Sequence, residues 1–189
     1  MPLGVASMSL IEVVGSYGAI CGEGRAIIPF GINEIVLRNG QSFWKRSPPR
    51  RKKIISNKNQ KDIKRLLREV VVTGTASKLA SLPFKVIGKT GTADIPCEGS
   101  YGGCGIRTSF VGAFPGWNPR YALLVSFERP KANIKKGILR NSSYWNAGPA
   151  AGNIIKLVAP ILGVEYNETK EIELPLQNDF INAHPKETL

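Results

Sequence analysis

Nine residues, Val86-Ile87-Gly88-Lys89-Thr90-Gly91-Thr92-Ala93-Asp94, constrain the rest of the chain most: they begin as an apolar strand and end as a small, hydroxyl-rich edge with a single lysine. Strand side chains alternate between faces, so Lys89 and Thr90 leave on opposite sides, and Gly91, with no Cβ, lets another backbone come close. Lys89 supplies a fixed positive charge and Thr90 and Thr92 supply hydroxyls. The Thr92 N–H is suited to an oxygen acquiring negative charge. These groups fit a carboxylate on an extended peptide.

The flanking sequence places this strand in a sheet. Residues 84–93, 108–114 and 121–127 read as strands, and Pro115-Gly116-Trp117-Asn118-Pro119 is a turn of the kind that joins antiparallel neighbours. Upstream, Leu10, Ile11, Val13, Val14, Tyr17, Ala19 and Ile20 recur at helical spacing after Ser9, and Gly22-Glu23-Gly24 stops the helix. Residues 27–37 read as extended, with Asn39-Gly40 turning the chain into a second short strand over 41–44. Ser47-Pro48-Pro49 ends that ribbon, because each proline removes a donor and biases its predecessor away from helix. Ser56 is placed to cap a helix over 57–72 whose stripe, Ile63, Leu66, Leu67 and Val70, is predicted to pack beneath the sheet. Residues 132–147 read as a polar loop. Gly148-Pro149-Ala150 opens a last helix through Ile154, Ile155, Leu157, Val158, Ile161 and Leu162, with Pro160 as a kink. The expected fold is mixed α/β, an antiparallel sheet flanked by helices.

At 189 residues and 42% hydrophobic content the chain is one domain or part of one. Its longest apolar candidate, 153–164, is short for a membrane span and carries Lys156, and residues 1–20 contain Glu12 and no basic leader. No export signal or anchor is expected in it. The net charge of +12 concentrates between Lys45 and Arg65, with Arg46, Arg50, Arg51, Lys52, Lys53, Lys58, Lys61 and Lys64 between them. Such density favours polyanions, but no aromatic interleaving accompanies it, so a solvated loop and helix face is expected rather than a nucleic-acid site.

Of the three cysteines, Cys21, Cys97 and Cys104, the last two flank a flexible Glu98-to-Gly103 segment and either pair in an oxidising compartment or remain separate free thiols. The cysteine spacing fits no zinc signature and His184 is the only histidine, beside Pro185, so neither a metal, a cofactor nor a histidine-based triad is expected. Asp94 and Glu98 read as loop solubility rather than acid–base work.

The match to a known pattern runs well past Lys89-Thr90-Gly91. Pro83-Phe84-Lys85-Val86-Ile87-Gly88-Lys89-Thr90-Gly91-Thr92-Ala93 is followed by Thr108-Ser109-Phe110-Val111-Gly112-Ala113-Phe114-Pro115, by Asn118-Pro119-Arg120-Tyr121 and by Glu128-Arg129-Pro130-Lys131. In that order the chain resembles the C-terminal part of the transpeptidase domain of a class B penicillin-binding protein of the septal, cell-division type. The resemblance covers residues 1–164, with 165–189 as an acidic, mobile tail. It implies a partial penicillin-binding protein fold of the serine β-lactamase-like kind. Within that fold Gly74 and Thr75 match a Gly-Thr pair that precedes the central strand.

The implied reaction is acyl transfer from a peptidoglycan stem peptide ending in D-Ala-D-Ala, in septal cell-wall synthesis at the outer face of the cytoplasmic membrane. In the family an activated serine attacks the penultimate carbonyl and expels the last D-Ala, and β-lactams acylate that serine. The resemblance assigns positive potential to Lys89, carboxylate binding to Thr90 and Thr92, ligand clearance to Gly91 and one oxyanion donor to the Thr92 N–H. It puts the nucleophile in a Ser-x-x-Lys helix upstream of residue 1, and no Ser-x-Asn occurs in the chain. Ser42-Phe43-Trp44-Lys45 has the letters of the first motif, yet serine and lysine three apart converge only on a helix, and a turn and two prolines surround them. The chain is therefore expected to be inactive alone and to need an upstream complementary fragment, with divisome proteins as further partners. Two alternatives remain: a non-catalytic module of the same fold that binds peptides by strand addition, and a basic nucleic-acid-binding protein.

Overall fold

The computed structural model describes residues 8–97, 103–116 and 118–165. Helix α1 (Leu10–Cys21) starts at Ser9, whose hydroxyl accepts the Glu12 N–H while the Glu12 carboxylate accepts the Ser9 N–H at 2.8 Å. This reciprocal pairing satisfies two donors that a helix start leaves free. The Ser9 side chain, and then its backbone, hold the Glu12 carboxyl below its ordinary range. The helix stops at Gly22, as its glycines imply.

Strands β1 (Glu34–Val36) and β2 (Ser42–Lys45) form an antiparallel hairpin, with Gly40 at φ +82° in the turn. Only the last part of the expected extended stretch is paired. Residues 27–33 run outside any strand, and Pro29 there has no N–H to give to a ladder.

Helix α2 (Asn57–Val72) is capped by Ser56, whose Oγ accepts the Asn59 N–H at 3.2 Å. Its buried row is Gln60, Leu67 and Val71, with Ile63 partly buried beside it. Leu66, expected in the stripe, is 66% exposed. It stands a hundred-odd degrees of helical rotation from Leu67 and Val71 faces inward in its place, so the stripe is centred one position away from the expected one.

After a 3₁₀ turn at Ser77–Leu79 come β3 (Ile87–Asp94), β4 (Ile106–Phe114) and β5 (Tyr121–Glu128), an antiparallel sheet in the order β3-β4-β5. The trio expected from the sequence is present, with Ile87 opposite Ala113 and Phe114 opposite Tyr121. Helix α3 (Ala147–Ile161) is capped by Asn146, whose Oδ1 accepts the Ala147 N–H at 2.6 Å. Pro160 is the next-to-last residue of α3, so it helps to end the helix and does not kink its middle.

The register sorts the sheet's two faces. Val86, Phe110 and Phe114 pack with Leu79, Ala147, Ala151 and Ile155 on the α3 side. Ile87 and Ala113 pack with Cys21 of α1 and Leu67 of α2 on the other. Gly88 is required by the first of these layers: a Cβ there would stand 2.6 Å from the Phe110 ring and 2.6 Å from the Val111 carbonyl. The result is the mixed α/β, helix-flanked antiparallel sheet read from the sequence.

Candidate functional site

The edge of β3 is divided along its length. At its start Arg68 Nη1 of α2 donates to the Val86 carbonyl at 3.1 Å, so the helix covers that end. From Lys89 onward no strand among the described residues pairs with the edge facing away from β4. Along an antiparallel strand, alternate residues turn both backbone groups to the neighbour or away from it. The Gly91 carbonyl faces inward, where it accepts the Ser143 hydroxyl. By alternation the Thr90 carbonyl and the Thr92 N–H face the free edge, and the exposed Lys89 bears this out by laying its Nζ on the Thr90 carbonyl at 2.8 Å.

Lys89, Thr90, Gly91 and Thr92 thus share one edge while their side chains divide between faces. Lys89 and Gly91 lie opposite Val111 and Ser109, on the α1 and α2 side. Thr90 and Thr92 lie opposite Phe110 and Thr108, on the α3 side. Thr90 Oγ1 is 2.5 Å from Thr75 Oγ1, and Thr92 Oγ1 is 3.0 Å from Ser143 Oγ. A Cβ on Gly91 would come within 2.6 Å of Ser109 Oγ, so the glycine gives room to its own neighbour across the ladder.

Ser143 escaped the sequence reading. It is 1% exposed and comes from the segment read as a polar loop, 51 residues from Thr92. Its hydroxyl donates to the Gly91 carbonyl and accepts the Ser109 N–H at 3.3 Å. A hydroxyl carries one proton, so Thr92 is the donor in the Thr92–Ser143 bond. Asn146 braces the same loop, accepting the Thr108 hydroxyl at 2.7 Å and donating to the Asn141 carbonyl at 2.8 Å. Nothing in local composition marks Ser143; only the folded distance does.

Ser42 and Lys45 lie on β2, where a three-residue separation sends side chains to opposite faces. Lys45 Nζ turns to Glu34 at 3.7 Å. The tetrad has the letters of Ser-x-x-Lys without its geometry. His184 and Glu98 lie outside the described residues, and no group of three or more metal-ligating side chains occurs among the described ones.

Cys97 and Cys104 form a disulfide with Cα atoms 5.7 Å apart, resolving the choice left open by their spacing. Cys21 is a buried free thiol; desolvation pushes its pKa up to about 11, against the opposing pull of the Lys64 charge. The basic run is more than a solvated face. Arg51 Nη2 reaches the Glu23 carboxylate at 3.1 Å, Lys53 Nζ the Glu23 carbonyl at 2.7 Å, and Lys64 Nζ the Gly22 carbonyl at 3.1 Å. These cations fasten the turn that follows α1.

The fold carries a Lys-Thr-Gly-Thr sequence along the edge of an antiparallel sheet backed by helices, an edge left unpaired among the described residues. Residues 1–156 match the penicillin binding protein transpeptidase domain. The chain belongs to that family. It is similar to stage V sporulation protein D of Bacillus subtilis, 30% identical over 89% of this chain and 27% of the relative. The probable peptidoglycan D,D-transpeptidase FtsI of Caulobacter vibrioides is 31% identical over 73% of this chain and 24% of its own length. The solved structure of penicillin-binding protein 3 from Mycobacterium tuberculosis, complexed with ampicillin, superposes with a TM-score of 0.76 at 25% identity, covering 90% of this chain and 39% of that one. The chain spans about a quarter of the length of the curated relatives. Among the described residues no helix is long and apolar enough to cross a membrane.

Proposed function

We propose that the chain supplies the substrate-holding edge of a peptidoglycan D,D-transpeptidase of the septal class and forms no acyl-enzyme by itself. The observation that carries the reading is the free edge of β3, where Lys89, the Thr90 carbonyl and the Thr92 N–H converge on the side away from β4. An extended stem peptide ending in D-Ala-D-Ala, or a β-lactam, lies antiparallel along that edge. Lys89 supplies positive potential, the Thr90 and Thr92 hydroxyls turn from Thr75 and Ser143 to donate their protons to the ligand carboxylate, Gly91 clears its path, and the Thr92 N–H receives the carbonyl oxygen that becomes an oxyanion during acyl transfer. The attacking serine and its base come from a Ser-x-x-Lys helix contributed by an upstream part of the domain. Catalysis on this reading takes place at the outer face of the cytoplasmic membrane.

The test uses the purified chain and a fluorescent penicillin. Polarisation before denaturation is expected to report reversible binding that unlabelled benzylpenicillin displaces. Lys89→Ala is expected to weaken it about tenfold or more, the order expected for loss of a hydrogen bond to a charged group. After denaturation no covalent label is expected. Label mapping to Ser42 would show a complete site in this chain, and the absence of any reversible signal would remove the ligand from this edge.

A further inference from the structure

We infer that Ser143 is a positioning residue for this edge: its hydroxyl holds the Gly91–Thr92 peptide plane so that the Thr92 N–H points at the ligand side. The inference rests on the proposed role of the β3 edge and adds a residue to it. In a trans peptide unit the C=O of one residue and the N–H of the next lie in one plane and point in opposite directions. Whatever fixes the Gly91 carbonyl therefore aims the Thr92 N–H.

Gly91, like Gly88, has less intrinsic restraint than the other residues of the strand, because glycine lacks the Cβ that narrows backbone freedom. Pairing with Ser109 of β4 supplies part of the restraint, and the rest comes from outside the sheet. Ser143 Oγ donates to the Gly91 carbonyl and accepts the Ser109 N–H of β4 at 3.3 Å, and its own N–H approaches Thr92 Oγ1 at 3.4 Å. One buried side chain thereby ties the carbonyl, the neighbouring strand and the next residue together. A hydrogen bond onto the carbonyl also polarises the amide, so the Thr92 N–H becomes a better donor as well as a better aimed one. The loop carrying Ser143 is itself anchored through Asn146 to Thr108 and to α3, which makes the tether a fixed part of the fold.

The experiment is a nuclear magnetic resonance comparison of the full chain with Ser143→Ala and Ser143→Thr, first without ligand and then with benzylpenicillin. Without ligand, Ser143→Ala is expected to move the Gly91 carbonyl carbon and Thr92 amide nitrogen signals, with Ala93 and the α3 signals in place, and Ser143→Thr, which keeps the hydroxyl, is expected to restore them. A purely structural role would move α3 and leave this peptide plane unchanged, and that result overturns the inference. In the unsubstituted chain a slowly exchanging Ser143 hydroxyl proton coupled to the Gly91 carbonyl is expected; a rapidly exchanging one overturns the tether even where the alanine variant fails to fold. With benzylpenicillin, the Thr92 amide shift is expected in the unsubstituted chain and lost in Ser143→Ala, while Lys89 still responds. If the unsubstituted chain shows no Thr92 response but the ligand-free signals behave as expected, the ligand reading of the edge fails and the Ser143 tether stands.

Discussion

The two sides of the sheet are finished to different degrees. On the α3 side Phe110 and Ile155 are 0% exposed, and every element of that core comes from residues 70–164. On the N-terminal side Ile87 and Ala113 are also buried, but among the described residues the buried cluster over them is only Cys21 and Leu67, with Tyr17, Ile20 and Ile63 partly buried beside it. Leu10, Ile28 and Phe30 around α1 and the segment after it are 57%, 67% and 50% exposed. Apolar surface of that extent marks a place built to be covered. One face of this sheet is therefore completed within residues 70–164, whereas the other is closed by α1 and α2 and leaves apolar side chains around α1 exposed.

If the α3 side carries most of the stability, the largest loss comes from emptying it. Phe110→Ala is expected to cost about 3–5 kcal/mol, the range for deleting a buried aromatic ring. Chemical denaturation measures this. A cost near that of an exposed site would mean that the closed face is not the folding core. Gly88→Ala comes next, because the added methyl meets both the Phe110 ring and the Val111 backbone. Overpacking of this kind costs about 1–3 kcal/mol. Gly91→Ala sharpens the contrast along the same strand: its Cβ meets only Ser109 Oγ, the end of a side chain that can rotate, so stability falls less while ligand approach is impeded.

The same contrast explains what the sequence discloses and what it hides. The α3-side core is legible because it is built from periodic apolar strands and a helix whose partners follow one another along the chain; the β4–β5 pairing follows from the short turn at 115–119 and from alternation. Lys89, Thr90, Gly91 and Thr92 are legible as one edge because a strand places neighbours at fixed intervals. Ser143 is not, since it reaches Gly91 across 52 residues of sequence through a segment with no pattern. Leu66 misleads for another reason: α2 meets the sheet at an edge and α1 at its flank, so the buried row follows Gln60, Leu67 and Val71 rather than the most apolar stripe.

Gln60 tests how the N-terminal layer is held. Its Nε2 donates to the Ile20 carbonyl at 3.2 Å and to the Gly22 carbonyl, where α1 ends and orphan carbonyls need donors. Gln60→Leu keeps the apolar bulk and removes both bonds. The expected cost is about 1–2 kcal/mol, with Lys64 retaining one bond to Gly22. Thermal unfolding followed by iodoacetamide labelling of Cys21 reads the effect locally. The thiol, with its raised pKa, stays protonated and buried at pH 8 and reacts only when α1 lifts. Faster labelling in the variant without a matching global loss would place Gln60 as a clasp on α1 alone.

The smallest effect on stability is expected where exposure is greatest. Ile28 is 67% exposed beside Ile11 and Pro29, so exchanging it for asparagine removes little buried area and is expected to change stability by less than about 0.5 kcal/mol. Its effect on association runs the other way. Apolar side chains left on one surface drive self-association through the same burial that drives folding. Sedimentation velocity is expected to show the Ile28→Asn chain less associated at equal concentration, with its denaturation midpoint unchanged. A large fall in the midpoint would mean that Ile28 already packs within the chain, and the N-terminal layer would then be as complete as the face beneath α3.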